Sequence, residues 1–441
     1  MMRKITRRSF LSAAAVCGAA AALTACGGSS SSTAASSTAA SSTAASSEAS
    51  GPVTLQWAVW DKESTPYWQA MADGYMESHN DVTIEMVDLG SSDYMTVLAT
   101  QLAGSADLDI VTIKDIPGYA NLINLDYLKP LNEVLTRDTG DFNGTIEQLT
   151  TDDGNFYAVP FRSDFWVLYY NKDLFDAAGV EYPSNDLTLE DYDALARKMT
   201  SGSGDTKVYG CHYHTWRSAA SLFSILDGKN TIIDGSYDFM KPTYDMVIAQ
   251  QKDGICMDYG YLKTSSLHYS AAFENQQCAM VNMGSWFIST LEAYMKDAET
   301  KFNWGIVKYP HPAGAAAGST LGTVTSLAIN ADSPKAEAAA DFINWCVSEE
   351  GAQAIAKTGT FPACGSSATS DIIKSTEGFP DDANSVDALT TSNVYLEMPY
   401  TQYASDIETI LNAEHDAIMT MSETVDEGIQ NMNDQVPAVL G

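Results

Sequence analysis

Apolar and polar positions fall into blocks along most of the chain, and the block lengths predict strands and helices in turn. Val53–Trp60 is predicted as a strand and Pro66–Ser78 as a helix presenting Met71, Tyr75 and Met76. Val82–Val87 is a second strand. Gly90-Ser91-Ser92-Asp93 follows it and leads into a helix from Tyr94 to Leu102. Asp109–Ile113 is a third strand, with Lys114 and Asp115 at its exit. Strand and helix alternating at this spacing predicts an α/β fold, a parallel sheet with helices on its faces. Ligands of such sheets lie beyond the carboxyl ends of the strands. The exits Trp60-Asp61-Lys62, Ser91-Ser92-Asp93 and Lys114-Asp115 are therefore the first places to look for a site.

The longest unbroken apolar run, Phe165–Tyr170, suits a strand buried on both faces. Asn171 then caps a short helix that ends at Gly179. Arg162 and Asp164 stand just before the run. A charge there must be paired or must face water or a ligand, because burying it bare is costly. A polar lead into a buried strand is what a crossover between two lobes looks like; a strand of one large domain is the alternative reading. Tyr169 and Tyr170 are adjacent on the strand and point to opposite faces, which reads as packing and not as paired metal ligands.

Further on, Thr188 with Asp191 opens a helix to Met199. Val208–Tyr213 reads as a strand, Trp216 leads into a helix through Leu226, and Tyr244–Asp253 is another helix. Ala271–Met283 precedes Gly284-Ser285-Trp286. Phe302–Val307 and Ser326–Asn330 are short strands. Ser333-Pro334 caps a long helix to Lys357 that stops at Gly359. Trp345, at helical spacing with Phe342, Ile343 and Cys346, is expected in the core. From about Ser392 the chain is mostly helical.

The first residues follow a different rule. Arg3, Lys4, Arg7 and Arg8 form a basic start, and Leu11–Ala25 is apolar and rich in small residues, which predicts an export signal over residues 1–25. Leu23-Thr24-Ala25-Cys26 resembles the lipobox of bacterial lipoproteins, which implies that Cys26 is acylated. Thr6-Arg7-Arg8-Ser9-Phe10-Leu11 resembles a twin-arginine export motif. Residues 26–51 repeat Ser-Thr-Ala-Ala-Ser and cannot bury enough apolar surface to offset their ordering entropy, so they read as a flexible tether.

Charge narrows the function. The chain carries −33; without the four basic residues of the signal, 20 basic against 57 acidic residues leave −37. Such acidity excludes nucleic acid as a partner. The five cysteines beyond the lipobox, Cys211, Cys256, Cys278, Cys346 and Cys364, are odd in number, widely spaced and without a CxxC, so neither a zinc site nor a disulfide framework is indicated; one or two disulfides are compatible with export. No Walker, HExxH, GxSxG or GxGxxG motif occurs. His212 and His214 share one face of a strand but have no third ligand in sequence, so no metal and no cofactor is expected.

Five stretches together resemble the extracellular solute-binding proteins of ABC importers, in the branch typified by maltose-binding protein: the lipobox with its tether, Val159–Gly179, Ala272–Trp286, Leu321–Asn330 with the helix after it, and Thr358–Ala363. The resemblance runs in order over nearly all of Val53–Gly441. It implies a type II periplasmic-binding-protein fold, two α/β lobes with a ligand cleft between them, and crossings near Arg162–Phe165, Thr323–Leu327 and Phe361–Cys364. The lobes would be residues 52–162 with 328–361, and 163–324 with 362–441. It implies a monomeric, lipid-anchored receptor on the outer face of the cell membrane that hands a sugar or oligosaccharide to a permease, and no enzyme. By position, Asp61, Lys62, Asp115 and Asp164 correspond to polar contacts, and Tyr213 and Trp286 to aromatic platforms. Trp60, Arg162, Trp216 and Ser285 adjoin these positions and join the candidates. The family's aromatic before Asp115 is replaced here by Thr112-Ile113-Lys114, and its last aromatic contact falls on Tyr395, Tyr400 or Tyr403, of which Tyr403 is taken. A pyranose has an apolar face that stacks on such rings and a rim of hydroxyls for the polar groups. Two alternatives stay open: a binder of a cationic, polyamine-like solute, suited to Asp61, Asp93, Asp115 and Asp164, and an extracellular glycosidase.

Overall fold

Eight strands form one sheet in the order β2-β1-β3-β7-β4-β5, with β6 added on β4 and β8 on β7. The strands are β1 Val53–Val59, β2 Val82–Asp88, β3 Ile110–Ile113, β4 Val159–Asn171, β5 Met280–Gly284, β6 Trp304–Lys308, β7 Ser319–Ile329 and β8 Asn393–Leu396. The computed structural model describes residues 51–441 apart from 105, 106, 143 and 365–367, so the export signal, Cys26 and the tether up to residue 50 lie outside the described residues. No helix among the described residues is long and apolar enough to cross a membrane.

The sheet is mixed where the strand–helix alternation predicts a parallel one. β1 pairs in parallel with β2 and β3, but β7 runs antiparallel to β3, and β4 antiparallel to β7. The reversal follows from β4, which is thirteen residues long and serves two groups of strands. Its first part, Val159–Phe165, pairs with β7; its second, Trp166–Asn171, pairs with β5 and β6. β4 thus leaves one strand group and enters the other at the charged residues Arg162 and Asp164. A third segment lies on its free edge there: Ser163 N–H donates to the Phe361 carbonyl at 3.1 Å, and Ala363 N–H to the Phe161 carbonyl at 2.9 Å.

Each strand group has its own aromatic core. In the first, Trp57 stands edge-on to Trp68 (5.3 Å) and Phe342 (5.2 Å) and donates its indole N–H to Thr112 Oγ1 at 2.9 Å. The helices α1 Pro66–Ser78, α2 Tyr94–Ala103 and α3 Ile116–Asn124 cover this part. In the second, Tyr169 packs with Phe287 and Trp304 and donates to the Gly284 carbonyl at 2.9 Å, while Tyr170 turns the other way to Phe175 and Tyr182. Asn171 caps the next helix by accepting from Leu174 N–H, and Gly179 ends it with φ +66°.

Three sequence expectations change. Val208–Tyr213 forms only isolated bridges, to Ser201, Cys278 and Val281. Gly210 explains why: a Cβ there would lie 1.7 Å from the Ala196 carbonyl oxygen, so the segment is pinned to the end of the helix Leu189–Met199 and not laid out along a neighbouring strand. The long helix after Pro334 is two helices, Ala336–Cys346 and Glu349–Ala356. Ser348 caps the second by accepting from Gly351 N–H, a residue packed so tightly on the Trp345 carbonyl that a Cβ would come within 2.3 Å. Trp345 is half-buried, its ring over Gly74 and edge-on to Tyr75, whereas Phe342, Ile343 and Cys346 are fully buried.

Candidate functional site

The three strand exits of the first half come together. Asp61 adopts a left-handed conformation (φ 44°) that turns the chain off β1, and Lys62 N–H donates to Asp88 Oδ2 at 2.9 Å. Lys114 Nζ donates to the Ser91 carbonyl at 2.7 Å and lies 5.3 Å from the centre of the Trp60 ring, within cation–π range. Trp60 itself is 8 % exposed, edge-on to Trp68 and Tyr94, so its ring is mainly a wall behind Lys114. Asp115 caps α3, accepting from Gly118 N–H at 2.7 Å, which fixes its carboxylate at the mouth of the sheet. Burial pushes the Asp115 carboxyl up, against the pull of that N–H, and burial lowers the Lys114 ammonium while Asp115 and Asp61 hold it up.

The crossover charges form the floor. Arg162 and Asp164 stand two residues apart on β4 and hence on one face. Arg162 Nε meets Asp164 Oδ2 at 2.8 Å, Arg162 Nη1 donates to the Tyr67 hydroxyl at 2.6 Å, and Asp164 Oδ1 accepts from Ser285 Oγ at 2.8 Å. Burial raises the Asp164 carboxyl, and Arg162 and Ser285 offset it. Three sequence candidates therefore meet in one network, anchored by a residue the sequence does not single out, Tyr67 on α1.

An aromatic wall rises from the second half. Trp286 begins the helix Trp286–Asp297 and donates its indole N–H to the Tyr269 hydroxyl at 3.0 Å. Its ring lies over Gly284, where a Cβ would come within 2.0 Å. Trp166 (5.8 Å) and Trp216 (6.2 Å) flank it, and His214 stands edge-on to Trp216 at 4.6 Å. Trp216 is 41 % exposed and offers the open ring face of this group. Tyr213, expected as a platform, is corrected by the structure: it is 3 % exposed and donates to Gln250 Oε1 at 2.7 Å, because the Gly210 contact turns its segment into the interior. His212 and His214 are buried as neutral rings, pushed down to about 4 and about 3 by burial. Among the described residues no three His, Cys, Asp or Glu side chains are grouped to hold a metal ion.

Beside the wall lies a cavity of about 310 Å3 lined by Lys114, Asp115, Arg217, Glu397, Glu408 and Asn412, with Gly322–Val324 of β7 as its back. Arg217 is 6 % exposed; its Nη2 donates to Glu408 Oε2 at 2.5 Å and its Nε to Asn412 Oδ1 at 3.2 Å, while Nη1 finds no hydrogen-bond partner among the described residues. Glu408 and Asn412 are one turn apart on the helix Ala404–Met419, on the same face. Glu397 Oε1 accepts from the Trp166 indole N–H at 2.5 Å, so Trp166 joins the charged cavity to the aromatic wall. Tyr403 caps the helix that carries Glu408 and does not line the cavity, nor do Tyr395 and Tyr400. A larger hollow of about 460 Å3 near Lys241 and Met421 shares no residue with this cleft, and one of its two lysines, Lys241, is spent on Asp245 and Asp426.

The sequence does not point to Tyr67, Tyr269, Arg217, Glu397, Glu408 or Asn412. Arg217 had a faint signal, a charge directly after Trp216 at a helix start; the others are single polar residues in helices and loops, brought to the cleft by the tertiary fold alone. All five described cysteines are buried and free.

Known proteins agree with this architecture. The sequence profile of the bacterial extracellular solute-binding proteins matches residues 61–353. A sugar transporter from Rhizobium etli, solved in an open conformation, is 47 % identical, with 87 % of this chain and 99 % of that one covered and a TM-score of 0.76. An ABC substrate-binding protein from Listeria monocytogenes in complex with cycloalternan is 21 % identical, over 88 % of this chain and 99 % of that one, with a TM-score of 0.75, and shares the fold. The sn-glycerol-3-phosphate-binding periplasmic protein of Pectobacterium atrosepticum is 27 % identical over 285 residues, 57 % of this chain; the match spans about three fifths of that relative, 61 %. The architecture is that of the two-lobed periplasmic binding proteins, and the chain belongs to the bacterial extracellular solute-binding protein family.

Proposed function

We propose that this protein is an extracytoplasmic receptor that captures a neutral carbohydrate between its lobes and delivers it to the permease of an ABC importer. It acts as a binder and not as an enzyme, as a monomer held to the membrane through a lipid on Cys26. The observation that carries the reading is the pairing of charges in the cleft. Arg162 is matched by Asp164, Arg217 by Glu408, and Lys114 stands next to Asp115. An ionic ligand would have to break such pairs, and uncovering a buried charge costs about 3–5 kcal/mol. A sugar needs only the remaining hydrogen-bonding capacity and the exposed face of Trp216. The 47 % identical relative, described as a sugar transporter, points the same way. The adjacency of β4, β7 and Phe361–Ala363 supports hinged closure of lobes 52–162 with 328–361 on 163–324 with 362–441. The contacts fall to Trp60, Asp61, Lys62, Asp115, Arg162, Asp164, Trp216, Ser285 and Trp286, with Lys114, Arg217, Glu397, Glu408 and Asn412 added by the cavity.

A second reading, an anionic solute such as a phosphate ester, is favoured by one observation, the unpartnered Nη1 of buried Arg217. The curated relatives named for sn-glycerol 3-phosphate make it concrete. A thermal-shift panel of maltotriose, mannotriose, sn-glycerol 3-phosphate and spermidine separates the readings. A ligand at a hundred times its Kd stabilises by about 2.7 kcal/mol, a shift of several degrees. A neutral oligosaccharide alone should give it; a shift with sn-glycerol 3-phosphate or spermidine alone refutes the neutral reading.

A further inference from the structure

Glu397 has a place no other acid of the cleft shares. It lines the cavity, yet one of its carboxyl oxygens is held by the indole N–H of Trp166, whose ring edge touches Trp286 of the aromatic wall. Its backbone N–H donates to the Gly322 carbonyl at 3.0 Å, on the crossing strand β7, so its position is tied to the segment that joins the two strand groups. The polar groups around it come from every neighbouring element: Trp166 from β4, Arg217 and Ser218 from the short helix Arg217–Ser221, Glu408 from the helix Ala404–Met419, and Tyr309 just after β6. Lys114 and Asp115 face it across the cavity. Burial and the neighbouring Glu408 favour the protonated carboxyl; the hydrogen bonds of Trp166 and Ser218 and the charge of Arg217, itself committed to Glu408, favour the ionised one and offset burial only in part.

We propose that Glu397 is the specificity-determining residue of the cleft, binding a neutral ligand in its protonated form so that each ligand bound takes up a proton from solvent. This deepens the carbohydrate reading and rests on it. With Oε1 accepting from Trp166, the second oxygen carries the proton and donates it to a ligand hydroxyl. A neutral ligand closing over the carboxyl removes water that an ionised form would need, and so favours the proton further. A cationic ligand would do the reverse and expel the proton. Burial already pushes the Glu397 carboxyl up to about 7, so the exchange falls in the neutral range.

Two measurements test this, one with ligand and one without. Calorimetry of the intact protein with maltotriose or mannotriose, whichever shifts the melting temperature, is run in two buffers of different ionisation enthalpy. The apparent heat should reveal uptake of a fraction of a proton near pH 7, and affinity should fall about tenfold from pH 6 to pH 8. No net proton uptake together with a flat affinity overturns the proposal. In the ligand-free protein, tryptophan fluorescence is followed from pH 5.5 to pH 8.5 in the parent and in Glu397→Gln. The difference curve should show a transition near pH 7, reporting loss of the proton beside Trp166; coincident curves overturn the proposal even if no ligand has been found. If nothing in the panel binds but the fluorescence transition is present, the carbohydrate reading fails while the titrating group at Glu397 stands.

Discussion

Two buried arginines, both next to a carboxylate, do different work in this cleft. Arg162 is enclosed by the crossing: Asp164 at 2.8 Å, the Tyr67 hydroxyl and, through Asp164, Ser285 surround it, and it lines neither cavity. Arg217 lines a cavity: it spends two donors on Glu408 and Asn412 and keeps one buried nitrogen, Nη1, without a hydrogen-bond partner among the described residues. A buried pair enclosed on all sides fixes the strand that carries it. One that borders a cavity and leaves a donor unmade carries a desolvation cost of about 1–3 kcal/mol that a ligand can relieve. The difference separates architecture from recognition more sharply than residue type or burial does, since the two arginines are alike in both.

The largest effect should come from breaking the enclosed pair. Asp164→Ala leaves the Arg162 guanidinium buried beside only a tyrosine hydroxyl, and should cost about 3–5 kcal/mol in urea unfolding. A loss below 1 kcal/mol would place Arg162 with Arg217 instead. Next comes Glu292, a buried acid (7 % exposed) with Oε1 unpartnered that lines neither cavity, so its cost should be structural only. Burial pushes its carboxyl up to about 8. Because the folded value lies above the unfolded one, the folded state holds its proton while the unfolded chain loses it, and stability falls as pH rises from about 4.5 to 8. Glu292→Gln should remove that fall, on the order of a few kcal/mol, in melting curves taken across this range. An unchanged pH profile would show that the carboxyl is relieved by water. The smallest stability effect belongs to the aromatic wall. Gly284→Ala places a methyl within 2.0 Å of the Trp286 ring and should cost about 1–3 kcal/mol while weakening sugar binding by displacing that ring. Normal affinity in this variant would remove Trp286 from the site.

Much of the fold was legible because the patterns that specify it are local. The helix over Pro66–Ser78, the cap at Asn171 with its stop at Gly179, and the start at Thr188 are set by residues within one turn of each other. The errors came where a distant contact decides. Gly210 is drawn out of a strand by the Ala196 carbonyl, and the helix after Pro334 breaks because Gly351 folds back on Trp345. The site divides in the same way. Asp61, Lys62 and Asp115 are visible as exits of predicted strands, and Arg162 and Asp164 as charges beside a buried run. Arg217, Glu397, Glu408 and Asn412 come from three separated segments, brought to one cavity by the β7–β8 pairing and by the contacts of Arg217 with Glu408 and Asn412. Their spacing in sequence carries no period, so no pattern could have collected them. Tyr213 shows the converse: a residue matched by position to a platform, whose side chain the local backbone turns inward.

The distinction between the two arginines is tested most directly by one calorimetric titration, of Arg217→Met against the parent, with the panel sugar that shifts the melting temperature most. Methionine fills much of the volume, and Glu408 keeps its contact with Asn412 and its access to water, so the variant should fold with a melting temperature close to the parent's. Its affinity should drop at least about tenfold, the loss of roughly 1.4 kcal/mol that one buried hydrogen bond to ligand represents. Equal affinity in a folded Arg217→Met protein would contradict the account, because the unpartnered donor of this cavity-lining side chain would then have no part in holding the ligand.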